Sequence, residues 1–104
     1  DYGRKESIFV PFFGVPAATI TGLPRLARLA GAAVMPCVVR VLPGGAGYVL
    51  TLGEPWQDYP ADDVEADTRR MNVWLEGVVR TMPEQYYWVH RRFKTRPEGE
   101  PRIY

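Results

Sequence analysis

The chain has 104 residues, 46% of them apolar and 24% charged, with 13 Lys and Arg against 12 Asp and Glu. That length supports one small hydrophobic core, and the near-neutral balance excludes a nucleic-acid binder that works through overall electrostatics. No apolar run reaches the ~18 residues of a membrane span, so none is expected here.

Asp1, Tyr2 and Gly3 open a polar stretch that ends at Ser7, and Ile8 to Val10 then forms a short β-prone run stopped by Pro11. Gly14 and Pro16 predict irregular backbone after it, leaving Phe12 and Phe13 to line a fold edge or an apolar groove. Thr21 is the expected cap of a helix with Pro24 in its first turn, an apolar stripe of Leu23, Leu26, Ala27 and Ala30, and Gly31 as its stop. Arg25 and Arg28 share its solvated face.

Ala32 to Leu42 is almost continuously apolar, which predicts a strand covered on both faces, pairing regularly only after Pro36. Cys37, the single cysteine, reads as a small buried hydrophobe of a reducing compartment, with no disulfide and no chemistry. Pro43 to Gly47 makes a five-residue loop into a second strand, Tyr48 to Leu52. The loop's glycines are not followed by the Lys and Ser/Thr of a phosphate-binding loop. A polar connection carrying Trp56 and Tyr59 leads to the longest helix, Asp63 to Met82, with Asp62 as cap and Glu65 completing a capping box. Val64, Met71, Trp74 or Leu75, Val78 and Met82 trace its expected buried stripe, and Pro83 ends it. Capping and the helix dipole explain the acidic residues at its start, so no metal site is assigned. The expected fold class is α/β, a mixed sheet flanked by helices.

The stretch with the most chemistry is Met82 to Pro97, where Tyr86, Tyr87 and Trp88 run into His90, Arg91, Arg92, Phe93, Lys94 and Arg96. Arginine forks match phosphate and carboxylate, and the aromatics offer an apolar wall with polar tips. The plainer reading is an aromatic cluster packed on the core with its charges in water. His90 is the only histidine. A nucleophilic pair with Cys37 is formally available, but apolar surroundings would raise the thiol pKa rather than lower it.

The same block, PEQYYWVHRRFKTRP, followed by Gly99, Glu100 and Tyr104, resembles the C-terminal end of the bacterial lipid A biosynthesis acyltransferases, of lauroyl or myristoyl type. Asp1-Tyr2-Gly3 and the segment Ile8 to Thr19 are similar to that family's acidic-Gly block and the apolar loop after it. The resemblance implies the C-terminal part of a glycerolipid-acyltransferase-like domain spanning 1–104. It also implies transfer of a fatty acyl group, lauroyl by preference, from acyl carrier protein to a Kdo-lipid A precursor at the cytoplasmic face of the inner membrane, without a cofactor.

Family catalysis rests on an H-x4-D/E box in which His acts as general base. Thr95 stands five positions after His90, so that box is absent, and the resemblance places both it and the membrane anchor outside this chain. The catalytic residues are unknown, and the chain alone is expected to be inactive. Asp1, Arg91, Arg92, Lys94 and Arg96 match family positions and are the candidate acceptor-binding residues, with structural pairing within the α/β domain the other role open to the four basic ones. The alternative is a non-enzymatic module whose Arg and aromatic tail binds anionic lipid or single-stranded nucleic acid.

Overall fold

The computed structural model describes residues 6–104, so Asp1 lies outside them. Ser7–Phe12 (β1) and Val15–Ile20 (β2) form an antiparallel hairpin in which Phe12 pairs with Val15 and Pro11 with Pro16. The expected irregular stretch is therefore a strand. In a hairpin closed by a two-residue turn the closing pair exchanges ladder hydrogen bonds and the next pair does not, so neither proline is asked for the N–H it lacks. Phe13 and Gly14 turn the chain with φ of 51° and 74°, the double positive φ of a type I′ turn. Val10, Phe12, Ala17 and Ala18 are buried and make the centre of the core.

Helix α1, Gly22–Ala30, ends at Gly31 in the left-handed region, φ 60°. Thr21 precedes it, but its hydroxyl donates to the Glu6 carbonyl instead of capping. The buried face is Pro24 and Ala27, with Leu26 and Leu29 exposed, so the expected stripe is displaced. Small residues let α1 lie close to the longer helix, while Arg28 reaches over to the Ala61 carbonyl and to Asp62 at 3.4 Å. Arg28 still lies on the solvated face, half of its side chain exposed, and makes these contacts at the surface.

Cys37–Val41 (β3) and Tyr48–Leu52 (β4) form the second hairpin, in the register Val39 with Leu50. The α/β composition stands, but the described strands make two separate two-stranded antiparallel sheets, not one mixed sheet. Among the described residues α2 and Gln85 border the second hairpin on one side but leave most of it uncovered. Val39, Leu50 and Leu52 are 51%, 59% and 57% exposed, and Cys37, expected inside, is exposed for the same reason. The radius of gyration is 15.2 Å, against about 13 Å for a compact domain of this length.

Helix α2, Val64–Thr81, is capped by Asp63, whose carboxylate accepts from Glu65 N and Ala66 N at 3.0 and 3.2 Å. Asp62, the expected cap, pairs with Arg28 instead. The deepest positions of α2 are Asp67, Thr68, Asn72 and Val79, while Met71, Trp74, Leu75 and Val78 are only half-buried. The reason is what the helix meets. It packs on the outer edge of β1, where backbone acceptors need donors, and Asn72 Nδ2 donates to the Pro11 carbonyl at 3.1 Å.

Candidate functional site

The segment after α2 is neither helix nor strand beyond one tight turn, Pro83–Gln85. It is held by specific bonds instead. Trp88 Nε1 donates back to the Pro83 carbonyl at 2.7 Å, and the Gln85 side chain bonds both the N–H and the C=O of Val41, at 3.0 and 3.2 Å. The aromatics then converge on the first hairpin. Phe12 lies 6.1 Å from Tyr86 and 6.0 Å from Phe93 between ring centroids, and Tyr86 meets Trp88 edge-on at 4.8 Å. Phe12, Phe13, Trp88, His90, Phe93 and Tyr104 border an apolar groove of about 400 Å³.

Two of the candidate arginines hold this arrangement in place. Arg92 donates from Nη1 to the Ala18 carbonyl at 2.8 Å and from Nη2 to Thr19 Oγ1 at 2.7 Å, and its guanidinium lies 5.4 Å from the Phe12 ring centroid. Arg96 donates from Nη1 to the Pro16 carbonyl at 2.9 Å and from Nε to Pro101 at 3.3 Å, with Glu100 at 3.6 Å. Pro16 and Ala18 are alternate residues of β2, so both carbonyls face the outer edge of the hairpin. The two arginines close that edge much as a third strand would. Burial lowers the Arg92 pKa from its usual range, and the nearby Tyr86 and Tyr104 oppose that shift.

Thr19 Oγ1 is the junction of the buried network. It donates to the Ala17 carbonyl at 2.9 Å and accepts from Asn72 Nδ2 at 3.3 Å as well as from Arg92. One hydroxyl therefore joins β2, α2 and the C-terminal block. A second anchor fixes the turn, where Phe13 N donates to Glu76 Oε1 at 2.6 Å and Arg80 sits 4.8 Å from the Phe13 centroid.

Arg91 and Lys94 point the other way. Together with Arg102, Ile103 and Tyr104 they line a cavity of about 50 Å³, and the Arg91 guanidinium lies 6.0 Å from the Tyr104 centroid. Among the described residues no carboxylate pairs with any of these three cations within 4.0 Å. Sequence reasoning had no reason to select Arg102, which follows Pro97, Gly99 and Pro101 in a tail without periodicity. The structure thus divides the basic block into two arginines bound to backbone and three cations gathered at one concavity, whose size and charge suit a phosphate or carboxylate. Cys37 and His90 line different grooves, one along α2 and one among the aromatics. No group of three or more His, Cys, Asp or Glu among the described residues is arranged to hold a metal ion, and no described helix is long and apolar enough to cross a membrane.

Comparison with known proteins adds to this geometry. Residues 1–95 match the family described as bacterial lipid A biosynthesis acyltransferase. The whole chain aligns at 50% identity over 105 residues with 34% of the lipid A biosynthesis lauroyltransferase of Escherichia coli K12. It aligns at 44% identity with 34% of that organism's palmitoleoyltransferase, and at 35% identity with 32% of its myristoyltransferase. The chain therefore spans about a third of the length of these relatives. No solved structure matches it.

Proposed function

Starting from the bacterial lipid A biosynthesis acyltransferase family, to which this chain belongs through its match over residues 1–95, we propose that it serves as the acceptor-binding part of such an enzyme. The reaction is transfer of a fatty acyl group, lauroyl by preference, from acyl carrier protein to a Kdo-lipid A precursor. The setting is the cytoplasmic face of the inner membrane. The chain forms the C-terminal part of a glycerolipid-acyltransferase-like domain, and the His and acidic residue that activate the acceptor hydroxyl lie outside this third. This chain alone is inactive.

The observation that carries the reading is the gathering of Arg91, Lys94 and Arg102 at one cavity beside an apolar aromatic groove. A lipid A precursor joins anionic phosphate and Kdo carboxylate groups to hydrocarbon. Charge-assisted hydrogen bonds from the guanidinium forks and the ammonium group suit the first, and the aromatic wall suits the second. Arg92 and Arg96, also candidates by position, act one step removed, because their donors are taken by Ala18, Thr19, Pro16 and Pro101. They set where the aromatic wall stands. Preference for lauroyl rests on the 50% identity to the lauroyltransferase against 44% to the palmitoleoyltransferase and 35% to the myristoyltransferase.

The test is a chimera in which this chain replaces the aligned third of the E. coli lauroyltransferase. Transfer of lauroyl from acyl carrier protein to a Kdo-lipid A precursor is expected from the chimera and not from this chain alone. A folded chimera that transfers no acyl group, or that uses only uncharged acceptors, would overturn the reading.

A further inference from the structure

The second hairpin has an edge that is already half prepared for a partner. Leu42 N donates to the Gly47 carbonyl at 2.9 Å and Gly53 N to the Pro36 carbonyl at 2.8 Å, so even-numbered residues of this segment turn their backbone groups toward β4. Residues of the other parity turn theirs outward. Val41 shows this directly, since Gln85 fills its outward N–H and C=O in the manner of a strand rung. Val39 and Cys37 come next on the same edge, and no hydrogen bond occupies their outward groups. Alongside runs a groove of about 290 Å³ whose other wall is Trp74, Leu75 and Val78 of α2, with Met82 just beyond its end.

We propose that the outer edge of β3 receives an extended β-strand, apolar on the side facing α2, from the part of an acyltransferase polypeptide outside the third that this chain matches. Three observations favour that occupant. The relatives devote about two-thirds of their length to sequence this chain does not cover, and an isolated two-stranded hairpin is marginal in water. One face of the hairpin, carrying Val39, Val41, Tyr48, Leu50 and Leu52, is apolar and exposed, as befits a sheet that further chain extends. Gln85 blunts one rung and leaves the next two open, which fixes the register of an incoming strand at Val39 and Cys37. The inference rests on family membership and not on which acyl group is transferred.

Cys37, the single cysteine, lies on this edge and is exposed, so it reports occupancy directly. Its labelling rate by a thiol reagent is measured in this chain alone and in the chimera, with any cysteine of the E. coli portion replaced by serine. Amide exchange along α2 serves as the check of folding. Labelling slower by about tenfold or more in the chimera, with new protection of the Val39 amide, is expected. Val39→Pro removes an outward donor without touching the ladder to β4, so it should restore fast labelling of Cys37 in a chimera whose α2 stays protected. Equal labelling in chimera and chain, or protection that survives Val39→Pro, would overturn the proposal. So would slowing that appears in this chain alone as its concentration rises, since that assigns the edge to a second copy.

Discussion

Replacing Arg92 with methionine keeps most of the side-chain volume and removes both of its hydrogen bonds, to the Ala18 carbonyl at 2.8 Å and to Thr19 Oγ1 at 2.7 Å. Thr19 keeps its bond from Asn72, but the Ala18 carbonyl loses its partner in a residue only 4% exposed. An unsatisfied buried acceptor costs about 1–3 kcal/mol, and hydrogen bonds from a charged donor contribute about 1.5–3 kcal/mol each without adding fully. The guanidinium is itself half-buried, and losing its desolvation cost offsets part of this. A net loss of about 2–3 kcal/mol remains, or a fall in Tm of about 10–20 °C for a domain of this length. Thermal unfolding followed by circular dichroism measures it, with Arg91→Met as the exposed control that moves Tm by no more than about 2 °C. Equal Tm values for the two variants would refute the division of the basic block into structural and ligand-facing residues.

Other consequences follow from the same contacts. Burial first, and then the Asp67 carboxylate, push the Tyr59 pKa up to about 12 against the pull of Arg70. The folded chain therefore holds its phenol proton after the unfolded chain has lost it near pH 10, and the associated stability is complete below pH ~10 and lost as pH rises toward ~12. Tyr59→Phe should flatten that alkaline slope in urea titrations while leaving stability at pH 7 equal or slightly higher, because the Tyr59 hydroxyl is buried without a partner. A slope unchanged in the variant would assign it to other groups. Gly14→Val should cost about 1–2 kcal/mol from backbone strain alone, since φ is +74° and nothing lies within 4 Å of an added Cβ. A variant as stable as the parent in urea would contradict the type I′ turn. Asp63→Ala removes acceptors of Glu65 N and Ala66 N and should cost about 1 kcal/mol, whereas Asp62→Ala, at a fully exposed side chain, should leave stability nearly unchanged. The reverse order in denaturant melts would return the cap to Asp62.

Where the backbone chemistry is local, it was legible in the sequence. Asp63 to Met82 with Pro83 beyond it marks a helix closely, and Gly31 and the Pro43 to Gly47 loop fall where their residue types require. The first hairpin was not legible, because Phe-Gly is not the usual type I′ pair and two prolines read as strand breakers. Pro11 and Pro16 are tolerated only because they face each other at a rung without hydrogen bonds. The deepest face of α2 was also hidden, since hydrophobic periodicity looks for apolar partners and this face meets a carbonyl edge through Asn72. Cys37 was misplaced because an apolar run reports a tendency to be covered, not the presence of the cover. For the basic block, irregular backbone offers no period that would tell Arg92 and Arg96 from Arg91 and Lys94, and Arg102 joins them only through the return of the tail.

The most direct measurement is the apparent KM for the Kdo-lipid A precursor in the chimera bearing Arg91→Glu, Lys94→Glu and Arg102→Glu together, with the KM for the acyl carrier protein donor read alongside. Reversing three exposed cations at about 1 kcal/mol each should raise the acceptor KM by tenfold or more, leaving the donor KM and Tm nearly unchanged. An unchanged acceptor KM in a folded variant, or a rise confined to the donor, would contradict the assignment of this cavity to the acceptor's anionic groups.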